Sequence, residues 1–243
     1  MSKIILITGA NTGIGFELVR ILAEKGHTVY LGSRNPALGE KALQTLVSEG
    51  FQTVKFVELD VTKPTTISAA AKFIEAAEGR LDVLVNNAAI SGLQLEQNAL
   101  KVDVSTIRQT METNLYGLIN TTQIFLSLLR KSTSGAPVIV NVTSGLGSGV
   151  YQSRPGSEAH FTAYNTSKAA VNSYTIALAH ELKSEGFKVN AVTPGLTATQ
   201  LNGFAEKGNS ARDGALELLP CVLLDKEAGT GLFFGPDGKE FPW

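Results

Sequence analysis

A chain of 243 residues with 22 acidic and 21 basic side chains is almost neutral, which excludes the one-sided charge of a nucleic-acid or anionic-membrane binder. Its 43% hydrophobic and 18% charged content reads as one globular domain over 1–243, long enough to bury a large core. The lone Cys221 excludes an internal disulfide, and the scattered His27, His160 and His180 exclude a metal-ligand cluster.

The first apolar run, within "MSKIILITGA", is too short for a signal sequence, and no stretch approaches the ~18 apolar residues of a membrane span. The expected location is therefore cytoplasmic, with no membrane partner. Residues 3–8 (KIILIT) read as a strand, and 13–26 (GIGFELVRILAEKG) as a helix closed by Gly26. A strand follows at 28–33, a helix around 36–49, a strand at 53–59 and a helix ending at Gly79. Further strands are expected at 81–86, 137–144, 188–193 and 230–234, with one long helix at 104–131 and another starting near Ala163.

Strands that alternate with helices predict a parallel sheet of about seven strands covered on both faces, a Rossmann-type doubly wound α/β fold. The strands are continuously apolar, as a sheet buried on both sides requires. Functional residues are then expected just beyond the carboxyl ends of strands.

The first such place is "TGANTGIG", where Gly9, Gly13 and Gly15 fall between a strand and a helix. Small residues there let the backbone approach a diphosphate, and the helix N-terminus directs unpaired N–H groups at it. The missing Lys-Ser or Lys-Thr excludes a P-loop. The second strand ends in "LGSRN", with Ser33 and Arg34 and no acid. An arginine there pairs with the 2′-phosphate of NADP, where an acid would accept from the ribose of NAD; NADP(H) is the favoured cofactor.

Five tyrosines occur, and only Tyr164, in "TAYNTSK", has lysine four residues on. At ~100° per residue, Tyr164 and Lys168 lie within ~40° of each other and share a side with Val171, Leu178 and Leu182. A lysine directed at the interior needs a partner, whereas the same pair on an exposed face would be a chance neighbourhood. Ser144, in "NVTSG", ends a strand and can reach the same crevice or simply cap a turn.

Together these residues resemble the short-chain dehydrogenase/reductase family in its carbonyl-reductase-like form, over nearly the whole chain. The resemblance rests on "TGANTGIG" (8–15), "DV" (60–61), "NNAA" (86–89), Asn114 in "METNLYG", Ser144, "YNTSK" (164–168) and "PGLTAT" (194–199). It implies Tyr164 as general acid/base, Ser144 holding the substrate oxygen, and Lys168 on the nicotinamide ribose, lowering the tyrosine pKa. Asn114 would position a water that continues a proton relay. The cofactor would be held by Gly9, Asn11, Thr12, Gly13, Ile14, Gly15, Ser33 and Arg34. Asp60, Val61, Asn86, Asn87 and Ala88 would border its adenosine side, and Tyr164, Lys168, Pro194, Gly195, Leu196 and Thr199 the nicotinamide.

Three departures stand out: Ala89 in place of a usual glycine, an insertion within 147–161 that sets Tyr164 20 residues after Ser144, and a short substrate lid at 198–212. From position, Ile90, Leu146, Tyr151, Leu201 and Phe204 are expected to line an apolar substrate pocket. The expected activity is reversible, NADPH-dependent reduction of a hydrophobic ketone or aldehyde. The alternatives are an NAD-linked alcohol or polyol dehydrogenase and a non-catalytic NADP-binding sensor. A homodimer or homotetramer through the helices at 104–131 and 163–185 is implied by the resemblance, and the insertion leaves a monomer open.

Overall fold

In a computed structural model, which describes residues 2–157 and 159–243, seven strands form one parallel sheet in the order β3-β2-β1-β4-β5-β6-β7. Glu158, inside the expected insertion, and Met1 lie outside the described residues. The strands are β1 (Ile4–Ile7), β2 (Thr28–Ser33), β3 (Val54–Glu58), β4 (Val83–Asn86), β5 (Val138–Val142), β6 (Lys188–Val192) and β7 (Phe233–Phe234). Between them run α1 (Gly13–Glu24), α2 (Pro36–Ser48), α3 (Pro64–Glu78), α4 (Val104–Met111), α5 (Gly117–Leu129), α6 (Gly149–Ser153), α7 (Thr162–Leu182) and α8 (Ala211–Val222).

Strand side chains alternate between faces, and here both faces are apolar. Ile5, Ile7, Val83, Val85, Val138 and Val140 pack with Leu18 and Leu22 of α1, Leu46 of α2, and Leu218 of α8. Ile4, Leu6, Leu84, Ile139 and Val189 pack on the other side with Ile67 of α3, Phe125 of α5, and Ala179 of α7. That double burial is why the strands read as uninterrupted apolar runs.

Two expectations change. The long helix at 104–131 is two helices joined by a π turn, Glu112–Tyr116. The last strand is shortened to Phe233–Phe234, because the Thr230 hydroxyl and Gly231 N–H take over the pairing with Val189 (3.0 and 2.8 Å). Among the described residues no helix is long and apolar enough to cross a membrane, and no group of three His, Cys, Asp or Glu could hold a metal.

Candidate active site

The chain winds outward from β1 to β3, then returns to β4 on the other side of β1. The crevice between the carboxyl ends of β1 and β4 is thus the topological switch point where such sheets bind ligands. It opens into a cleft of about 530 Å³.

The floor is the glycine turn. Gly9 and Gly13 have φ of +63° and +60°, which side chains rarely tolerate. A Cβ on Gly9 would lie 2.8 Å from Ala88 Cα, and one on Gly15 would lie 2.5 Å from Asn87 Nδ2. The Asn87 amide donates to the carbonyls of Thr8 and Gly9 (2.9 and 3.2 Å), and the N–H groups of Asn87 and Ala88 both donate to Thr8 Oγ1 (3.0 Å). Thr12 makes no side-chain cap on α1, so the first-turn N–H groups are left for a ligand anion. Replacing Gly9 with Ala should cost about 2–4 kcal/mol of stability, from left-handed backbone and contact with Ala88 together. Urea denaturation measures this; a loss below about 0.5 kcal/mol would show that the turn is not tight.

Of the expected cofactor contacts, Gly9, Asn11, Thr12, Gly13, Ile14 and Gly15 line the cleft on one side. Arg34, Asp60, Val61, Asn87, Ala88 and Thr199 also line it, joined by Ile90 and Leu201 from the expected pocket, whereas Tyr164, Lys168, Pro194, Gly195 and Leu196 lie outside this lining. Against burial, which pushes the other way, hydrogen bonds from Thr62 and Lys63 hold the Asp60 carboxyl below its usual range. Arg34 is exposed and, among the described residues, forms no ion pair.

Ser33 and Asn86 are not on the wall. Ser33 is fully buried, its hydroxyl 3.1 Å from Asn11 Oδ1. Asn86 donates from Nδ2 to Thr122 Oγ1 and Asn141 Oδ1 (both 2.9 Å) inside the fold. Asn35, Leu38, Leu59, Thr62, Ser91, Gly92, Gln94 and Thr113 line the cleft without having been singled out. Asn35 follows the end of β2, and Leu59 and Thr62 follow the end of β3, so the strand-end rule would have found them; the others carry no distinguishing pattern.

Beyond the cleft, β5 and α7 bring the polar set together. Lys168 is buried, and its Nζ donates to the Val142 carbonyl at 2.8 Å and lies 5.8 Å from the Tyr164 ring centroid. No carboxylate pairs with it among the described residues, and burial lowers its pKa to about 8. Tyr164 keeps part of its surface open, yet desolvation of the phenol pushes its pKa up to about 12, with the Ser144 side chain acting in the opposite direction. Ser144 Oγ accepts from Leu146 N–H at 3.2 Å, which leaves its hydroxyl proton for the phenol oxygen or for a ligand oxygen that takes its place.

Asn114 sits in the π turn. Its Oδ1 accepts from Ile90 N–H, and its Nδ2 donates to the Ile90 carbonyl and to Ser167 Oγ, all at 2.9 Å. Ser167 in turn donates to the Tyr164 carbonyl at 2.8 Å. The asparagine side chain is therefore fully used in tying the cleft wall to α7. On the β6 side, Thr193 Oγ1 accepts from Gly145 N–H and Gly195 N–H (3.2 and 3.3 Å), so the turns after β5 and β6 meet behind Ser144. Pro194 is buried there, whereas Leu196 is 56% exposed.

The other expected pocket residues are spread out. Tyr151 is held between the Arg154 guanidinium (3.5 Å) and the Phe241 ring (5.4 Å). Phe204 is 67% exposed with φ of +61°. Leu146 is half-buried beside Ser144. The short lid is a pinned loop rather than a loose flap, since Ser91 Oγ donates to the Leu201 carbonyl at 2.6 Å and Ala198 N–H to the Asn209 carbonyl at 2.8 Å.

Residues 3–210 match the family described as short chain dehydrogenase. Salutaridine reductase of Papaver bracteatum is 30% identical over 293 aligned positions, covering 94% of this chain and 93% of that protein. (+)-Neomenthol dehydrogenase of Capsicum annuum is 31% identical, with 94% of each chain covered. The NADPH-bound carbonyl reductase from chicken fatty liver superposes with a TM-score of 0.84 at 26% identity, over 100% of this chain and 99% of that one.

Proposed function

The chain belongs to the short-chain dehydrogenase family, and from that premise we propose that it is an NADPH-dependent carbonyl reductase in which Tyr164 delivers the proton. The observation that carries this reading is Lys168, a buried ammonium with a main-chain carbonyl as its acceptor, set beside the ring of a desolvated tyrosine. Such a burial is costly. It is repaid in chemistry if the charge controls the phenol.

The cleft fits a dinucleotide: a glycine turn that admits no Cβ, the open N-terminus of α1, and Arg34 at the end of β2. Gly9 to Gly15 would hold the diphosphate, Arg34 the 2′-phosphate, Asp60, Val61, Asn87 and Ala88 the adenosine side, and Pro194, Gly195, Leu196 and Thr199 the nicotinamide side. Bound NADPH supplies the hydride.

The residues of the chain supply the rest. Ser144 keeps its proton and holds the substrate oxygen by a hydrogen bond, and Tyr164 transfers the one proton that completes the alcohol. A phenol held near 12 is fully protonated at neutral pH, so the acid is loaded before the substrate arrives. As the phenolate forms, the Lys168 ammonium stabilises it. A π turn leaves a main-chain carbonyl without its usual helical partner. Asn114 contributes by holding that turn against Ile90, and a carbonyl so freed would seat the relay water.

Leu146, beside Ser144, and Leu201, on the cleft, would give the substrate side an apolar character that favours a hydrophobic ketone or aldehyde. The relatives named for salutaridine reduction and neomenthol oxidation support the same class. A panel of hydrophobic and polar carbonyl compounds with NADPH and with NADH tests the reading: turnover of the hydrophobic members with NADPH is expected. Tight NADPH binding without turnover of any of them would overturn it. Arg34→Ala should raise KM for NADPH about tenfold to a hundredfold and leave KM for NADH unchanged; equal effects on both would remove Arg34 from 2′-phosphate recognition.

A further inference from the structure

We infer that Gln97, in the loop between β4 and α4, is a positioning residue that fixes the first turn of the helix carrying Tyr164. Phe161, the N-cap of α7, offers no side-chain cap. The missing acceptors come from a loop far away in sequence. Gln97 Oε1 accepts from Ala163 N–H at 3.0 Å, and the Gln97 carbonyl accepts from Thr162 N–H at 3.2 Å. The other end of the amide, Nε2, donates to the Gly92 carbonyl at 2.8 Å.

Gln97 is only 8% exposed, and every polar atom of its side chain is used. It joins two parts that must be in register. Ala163 immediately precedes Tyr164, and Gly92 is on the wall of the cofactor cleft, two residues from Ile90, which Asn114 holds. Gly92 itself turns with φ of +65°, and a Cβ there would lie 3.2 Å from Gln97 Nε2, so the loop is wound around this amide. One side chain thus sets the place of the acid relative to the cofactor seat. Small misplacements of a reacting group are expensive in rate.

The two ends of the amide separate the prediction. Gln97→Glu keeps the acceptor for Ala163 N–H, at a helix N-terminus that favours a carboxylate, but loses the donor to Gly92. Gln97→Leu loses both. We expect Gln97→Leu to lower kcat on the order of tenfold to a hundredfold. Gln97→Glu should recover most of kcat while raising KM for NADPH. Equal kcat for the two variants, or wild-type kcat in Gln97→Leu, would overturn the inference.

A second measurement needs no variant. Amide exchange on the wild-type chain should show Ala163 N–H protected, unlike an uncapped first-turn amide; rapid exchange would overturn the clamp. The inference rests on Tyr164 being the acid. Absence of carbonyl reduction in the wild type would remove that reading, whereas an active wild type with an unaffected Gln97→Leu would remove the clamp alone.

Discussion

Tyr164→Phe should lower kcat for carbonyl reduction by about a hundredfold to ten-thousandfold, with NADPH affinity within about twofold of wild type. The substitution removes one hydroxyl and keeps the ring, so packing at the first turn of α7 survives. The proton donor is lost, and no other acid replaces it: Ser144 is a much weaker acid, and the Lys168 Nζ is directed to the Val142 carbonyl. Single-turnover kinetics with NADPH fluorescence titration measures both quantities. A Phe variant with wild-type kcat would take the tyrosine out of the chemistry.

Lys168→Met should abolish turnover to a similar degree and, unusually for an interior substitution, leave the cofactor-free protein at least as stable at neutral pH. Lowering a lysine from 10.5 to about 8 corresponds to roughly 3 kcal/mol against the buried ammonium. A methionine fills the same space without that charge, though it leaves the Val142 carbonyl unpaired, which offsets part of the gain.

The sign of the pH dependence follows. Between pH 8 and 10.5 the unfolded chain holds more protons at Lys168 than the folded one, so the Lys168 contribution to stability rises with pH across that window, while Cys221, pushed up to about 12 by burial, opposes it above pH 9 equally in both proteins. Tyr164 acts oppositely, but only between 10.0 and about 12, where the folded chain holds the extra proton and stability falls. From pH 8 to 10 the lysine contribution therefore stands clear of the tyrosine, and melting temperatures of the two proteins should converge there. A constant difference across that range would mean that Lys168 is not buried as an ammonium.

Much of this site was legible because it is built from local patterns. The glycine turn announces itself between an apolar strand and an amphipathic helix, and Tyr164 with Lys168 needs only helical spacing to share a face. Lys168, Val171 and Leu182 are indeed on the buried side. What escaped depends on contacts across the chain. Residues 104–131 keep helical periodicity throughout, and the π turn at Asn114 is fastened by two hydrogen bonds to Ile90, 24 residues earlier.

Asn86 and Asn87 look equivalent in "NNAA", yet the first, the last residue of β4, enters an interior network with Thr122 and Asn141, and the second, just past the strand, bonds to the glycine turn. Tyr151 reads as an open pocket residue until Phe241, 90 positions later, packs on its ring. Gln97 has no local signal at all; its partner amide is 66 residues away.

The most direct test is the titration of the Tyr164 phenol, read as the ultraviolet difference between wild type and Tyr164→Phe, with and without oxidised NADP. The account predicts a value near 12 in the cofactor-free protein, falling toward the neutral range once the positively charged nicotinamide is bound beside it. A phenol whose titration is indifferent to the cofactor would contradict the claim that Tyr164 is the controlled acid of this site.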